Sequence, residues 1–236
     1  MADFRVTTLQ DETEDNDTLS LREAVALANA NPGRDQITFD ASLNGGTIAL
    51  TQGSIEISDD LDITGNRQIT LAGDAATDEN ALTLAGADAN IGGLTVTQSG
   101  IGGQGNLVFR NGALVENQAG AINLDGALKI INSQILDNTA LGPDNATIAA
   151  GVTATSVRAF DSTFSGNDGT DTGAILGTQQ VTVVGSLIAD NTTLRPMYGV
   201  YTFGTGITSL GDATVVNSTI VRGSPGRLPY GFAVHT

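Results

Sequence analysis

Ile131-Asn132-Ser133-Gln134-Ile135-Leu136-Asp137-Asn138 is the stretch on which the fold turns, because it returns three times further along the chain. The second copy is Phe160-Asp161-Ser162-Thr163-Phe164-Ser165-Gly166-Asn167. The third is Val184-Gly185-Ser186-Leu187-Ile188-Ala189-Asp190-Asn191, and the fourth Val216-Asn217-Ser218-Thr219-Ile220-Val221-Arg222-Gly223. A weaker copy, Phe109 to Asn117, precedes them. The shared core is apolar-x-Ser-x-apolar, with an Asn following in the first three of these copies. The Ser positions are separated by 29, 24 and 32 residues.

Repeats of about 20–50 residues point to stacked architectures. A propeller blade needs about 40 residues or more, and a leucine-rich repeat needs a stricter Leu pattern. Short strands, three to a turn, fit the observed spacing. The expected fold is therefore all-β: a right-handed parallel β-helix of three-strand rungs, with loops of varying length. Rungs stack about 4.8 Å apart, so equivalent residues lie over one another. Ser133, Ser162, Ser186 and Ser218 are expected to line the interior. Asn117, Asn138, Asn167 and Asn191 are expected to form a side-chain amide ladder at a tight turn, using the left-handed backbone that Asn tolerates.

Upstream the cadence is the same back to residue 36. Gln36-Ile37-Thr38-Phe39, Thr47 to Leu50, Ser54 to Ile57, Leu61 to Thr64, Gln68 to Leu71 and Ala81 to Leu84 are short alternating runs broken by Gly, Asn or Asp. Residues 20–30 differ. Ser20 and Glu23 make a capping box, Leu21, Ala24, Val25, Leu27 and Ala28 make an apolar face at helical spacing, and Asn31-Pro32-Gly33 ends it. An open sheet edge invites aggregation. A lone helix here is expected to cover the first rung. The chain thus divides into an N-terminal cap at 1–35 (strand, acidic loop, capping helix) and the repeat region at 36–236, read as continuing in a larger protein.

Leu19-Ser20-Leu21-Arg22-Glu23-Ala24-Val25, with Ala28-Asn29 and Asp35-Gln36-Ile37-Thr38-Phe39, resembles the CSLREA motif of bacterial and archaeal extracellular β-helix proteins. Ile55-x-Ile57 and Leu61-x-Ile63-x-Gly65 match how such proteins enter their first rungs. Leu19 stands where the family has Cys, which keeps the apolar character and loses any thiol role. The resemblance covers about the first 70 residues; the remainder resembles the wider pectate-lyase-like superfamily by cadence. It implies a secreted or cell-surface location and adhesin-like chains, and it implies no catalytic activity. Ser20, Leu21, Arg22, Glu23 and Val25 are read as structural, with Arg22 pairing an acidic neighbour or binding carbonyls of the first rung.

Composition narrows the function classes. The 236 residues carry a net charge of −16, with 26 acidic and 10 basic side chains and no Cys. Disulfides and thiolate chemistry are excluded. Nucleic acid is not an expected partner, because counterion release needs clustered Lys and Arg. No apolar run reaches the length of a membrane span, and no leader is visible at the start. Surface glycans and further copies of the chain are the partners considered.

The candidate chemistry is sparse. A glycosidase needs two carboxyls across a bond. Asp59-Asp60 with Asp62 is the densest set, yet neighbours on a strand face opposite sides. For a lyase, Arg158, Arg195 and Arg222 are the cations to name, but the negative chain would repel a polyuronate. His235 is the only His. Calcium is the one cofactor weighed, through Asp168 and Asp171 in Asn167-Asp168-Gly169-Thr170-Asp171, against a plain turn. The oxygen-rich loop Asp11 to Asp17 and Gly102-Gly103-Gln104-Gly105-Asn106 read as turns. Tyr198, Tyr201 and Phe203 are candidates for stacking on a sugar. The leading function is a structural or adhesive module, more a non-enzyme than an enzyme. The alternatives are a carbohydrate-binding or carbohydrate-active protein and a filament subunit assembling through its C-terminal end.

Overall fold

The computed structural model of the chain describes residues 1–14, 16–74, 79–140, 149–170, 172–193 and 205–221. Among them the protein is all-β with one α-helix, Leu21–Ala30, and one 3-10 turn, Ala41–Leu43. Among the described residues the pairings between named strands are parallel and join segments distant in sequence, with one isolated antiparallel bridge between Ala119 and Ala140. Alternation explains the strands: in Asp35–Phe39 the burial pattern puts Asp35, Ile37 and Phe39 inside and Gln36 and Thr38 outward.

The pairings form three series. One runs from Asp3–Val6 and Asp35–Phe39 through Leu61, Ala89 and Leu107 to Ala127–Ile131, then through Ser156 and Gln180 to Asp212–Val216. Its inward positions stack as Ile37, Ile63, Ile91, Phe109, Ile130, Ala159 and Val183, all buried. A second series stacks Ile48, Leu71, Val96, Leu114, Ile135, Phe164 and Ile188. A third stacks Ile55, Leu82, Ile101, Ile122, Val152, Ile175 and Ile207. Long strands such as Leu82–Gln98 belong to all three, carrying the chain round its corners. Ile101–Arg110, Ile122–Asp125, Val152–Phe160 and Ala127–Ile131 pair in a closed ring. A separate three-stranded sheet joins Thr139–Ala140, Asp168–Gly169 and Thr192–Thr193.

The helix is built as its sequence dictates. Ser20 accepts from the Glu23 N–H and Glu23 accepts from the Ser20 N–H, which completes the capping box. Leu21, Ala24, Val25 and Ala28 are buried. Leu27 is not: it is 47% exposed. At 3.6 residues per turn it falls roughly 110° from the centre of the stripe, so the apolar face is narrower than expected. At the other end Asn31 donates to both oxygens of Asp35, which also accepts from the Ala2 N–H at 2.6 Å. One fully buried carboxylate therefore ties the helix to the first two strands, and those bonds hold Asp35 below the usual carboxylate range.

The left-handed backbone lies one residue earlier than expected. Asn117, Asn138, Asn167 and Asn191 do not have positive φ; the residues before them, Glu116, Asp137, Gly166 and Asp190, do. The same holds for the Ser positions, preceded by left-handed Asn132, Asp161, Gly185 and Asn217. Each corner is thus a left-handed residue facing solvent or neighbouring turns, followed by a polar residue turned inward. Gly166 takes the left-handed position in its turn at no steric cost, and a Cβ there would have to push the exposed Asp137 carboxylate aside.

Candidate functional site

The N-terminal end is closed by one ion-paired clamp. Arg22 donates to Asp11 Oδ1 at 2.7 Å and Oδ2 at 3.1 Å, and to the carbonyls of Gly53 and Ser54 at 2.7 and 3.1 Å. Both roles expected of Arg22 are filled at once. Asp11 also accepts from the Thr51 and Gln52 N–H groups. Its side chain is 1% exposed. Burial pushes the Asp11 carboxyl up, but Arg22 and the two backbone donors outweigh it and hold it below its ordinary value. Leu21 and Val25 pack into the core alongside.

The two polar columns have different chemistry. In the Asn column each Nδ2 donates to the Oδ1 of the next: Asn117 to Asn138, Asn138 to Asn167 and Asn167 to Asn191, all at 2.8 Å. Each Oδ1 so used also accepts its neighbour's backbone N–H. The second amide hydrogen goes back to a carbonyl: Val96, Leu114, Ile135 and Phe164 in turn. In the Ser column the hydroxyl closes its own turn. Ser133, Ser162, Ser186 and Ser218 donate to the carbonyls of Ile131, Phe160, Val184 and Val216. The oxygens of Ser162, Ser186 and Ser218 each accept the N–H of the preceding Ser. The interior placement holds for Ser133, Ser162 and Ser186, which are buried. Ser218 is half-buried, because it sits on the last described strands, where Val215 and Ile220 are also only partly covered.

The Asn ladder has an end. Asn117 Oδ1 is buried and has no hydrogen-bond partner. Its register partner on the preceding strand is Gln98, which is left-handed and exposed and so offers no inward amide. The next residue, Ser99, is buried and donates its hydroxyl to the Asp74 carbonyl.

The remaining candidates are structural or lie elsewhere. Asp168 accepts from the Thr192 hydroxyl at 2.7 Å within the three-stranded sheet. Asp171, Tyr198, Tyr201, Phe203, Arg195, Arg222 and His235 lie outside the described residues. No group of three or more His, Cys, Asp or Glu that could hold a metal occurs among the described residues. The carboxylates of Asp59, Asp60 and Asp62 are engaged by Gly33, Asp88 and Arg34.

A surface trough of about 280 Å³ runs along the Ser corners. Arg67, Asn111, Asn132, Gln134, Asp161 and Thr163 are among its polar groups. Arg67 donates to the Asn111 carbonyl and Oδ1, and Asn132 donates to the same Oδ1. Outside the trough's lining, Lys129 lies over the Phe160 ring at 5.6 Å and pairs in register with Arg158. The sequence reading missed Lys129. Its signal was there: Lys129 and Arg158 both stand four residues before the repeat Ser. Comparison with known protein families, curated proteins and solved structures finds no match.

Proposed function

We propose that the chain is a right-handed parallel β-helix with three strands to a rung and a helix over its first rung. We propose further that it serves as a rigid structural and adhesive module of a secreted or cell-surface protein rather than as an enzyme. Three series of parallel pairings, recurring at the repeat spacing, support the coil. Parallel crossovers are right-handed in about 98% of cases. The observation that carries the role is that the repeat's polar side chains are spent on one another. A catalytic group must be free to meet substrate, whereas the buried Asn and Ser columns bond to neighbouring strands. The resemblance to the CSLREA motif supports the location.

The test has two arms. Cysteines introduced at the facing outward positions Thr163 and Leu187 should cross-link, since paired strands lie about 4.8 Å apart; failure to cross-link would refute the stacked register. Incubation with polyuronates and neutral polysaccharides should yield no new chain ends. Turnover of any of them would sink the non-catalytic role.

A further inference from the structure

Arg67 is aimed into the trough by the backbone that carries it. Between the pairs Thr64–Gly92 and Ile69–Leu94, one strand has four residues, Gly65 to Gln68, where its partner has Gly93 alone. Bulges of this kind re-aim a side chain. Asn66 and Arg67 both take the left-handed backbone, at φ 53° and 62°, which bulky L residues adopt rarely. A Cβ on Gly93 would strike the backbone nitrogens of both, so the missing side chain at Gly93 is what admits the bulge. Arg67 then reaches the corner at Asn111, where its Nε donates to the carbonyl and its Nη2 to Oδ1. Two of its five N–H donors are held in this way. The Nη1 side of the fork stays open, and no carboxylate pairs with it among the described residues. Backbone strain that holds one cation in place is the pattern of a ligand clamp.

Asp161 marks the other end of the trough. Asn111, Asn132 and Asp161 occupy the same corner on successive turns, since their N–H groups donate to the carbonyls of Ile131, Phe160 and Val184. Two strand spacings therefore separate Asn111 from Asp161, about 10 Å. Asp161 is exposed, and its carboxylate has no hydrogen bond or ion pair among the described residues. Arg67 is the only basic residue in the lining and Asp161 the only acidic one. Between these charges the lining is neutral, with Asn132, Gln134 and Thr163. We infer that the trough binds a short zwitterionic peptide in extended form, its terminal carboxylate on Arg67 and its terminal ammonium on Asp161. An extended chain covers about 3.3–3.6 Å per residue, so a tripeptide matches the separation of the two charges. A guanidinium takes a carboxylate in a two-point hydrogen bond. Gln134 and Thr163 offer both donors and acceptors to the peptide groups between the ends. A uronate chain or a nucleic acid would set its own anions against Asp161, and a neutral sugar would use neither charge.

The inference goes beyond the proposed structural role and stands on the trough alone. Titration of the full isotope-labelled chain with trialanine, read from amide chemical shifts, tests it. Saturable binding centred on residues 111–134 and 161–163 is expected. Acetylating the peptide's amine and changing Asp161→Asn should each weaken it about three- to tenfold. Together they should cost little more than either one, because both remove the same ion pair; a purely structural role for Asp161 would not produce that coupling. Arg67→Gln should weaken binding as much, and amidating the peptide's carboxyl should add little to that loss. Lys129→Gln, outside the trough, should bind as the parent does. The inference is overturned if trialanine does not bind, if Asp161→Asn binds as tightly as the parent, or if acetylation and Asp161→Asn weaken binding additively. Displacement of trialanine by oligogalacturonate or by a neutral galactan would overturn it too, by assigning the trough to sugars.

Discussion

The two ends of the described chain satisfy buried polar groups by opposite means. Around the helix the work falls to charges: Asp11 with Arg22, and Asp35 with Asn31 and the Ala2 N–H. From residue 111 to 218 it falls to neutral amides and hydroxyls repeated from strand to strand. The difference follows from geometry. A repeating column brings identical groups together, and identical charges would repel, whereas an amide is donor and acceptor at once and can bond to its own kind. At the helix the chain changes direction once, with no repeat, and an ion pair can be matched to a single place. Charge closes the end; neutral ladders carry the length.

The largest effect is expected from breaking the charged end. Arg22→Ala leaves the Asp11 carboxylate buried without its cation and frees the Gly53 and Ser54 carbonyls. A loss of about 3–5 kcal/mol is expected in denaturant unfolding, with hydrogen exchange rising first in residues 3–57. Acid is a milder version of the same break. The Asp11 and Asp35 carboxyls lie below their unfolded values, so their contribution is present above about pH 4 and is lost as pH falls through the folded values. Stability of the helical end should drop in that window, while exchange in the Asn ladder stays unchanged. Ladder protection lost at the same pH would erase the contrast.

Breaking the neutral region should cost less per residue. Asn167→Ala removes the Nδ2 bonds to Asn191 and Ile135 and the acceptor used by Asn138. About 2–3 kcal/mol is expected, because the groups left behind are buried. An equal loss on Asn117→Ala would refute the ladder's polarity, since Asn117 Oδ1 already lacks a donor.

Much of this could be read before any coordinates. The capping box of Ser20 and Glu23 was legible because its two bonds are local, three residues apart. The Asn and Ser columns were legible because the repeat places Ser at one corner in four copies and Asn at another in the first three of them. The left-handed position was misplaced by one residue. Asn is read as the usual turn former, yet here its side chain is needed inside, so Glu116, Asp137 and Asp190 take the strain outside. Leu27 was placed on the buried face because pattern alone does not show how narrow the contact with the strands is.

The sequence by itself determined the local units: which residues alternate, where the one helix starts, and which polar residues recur. Tertiary structure decided what register brings together. Asp11 meets Arg22, 11 residues away, and the N–H groups of Thr51 and Gln52, 40 and 41 residues away. Lys129 meets Arg158 across the strands, and Asn117 meets exposed Gln98 in place of another inward amide. Loops of unequal length separate the copies, so sequence distance does not fix which residues become neighbours. Backbone pairing does, through hydrogen bonds that hold each strand in one register.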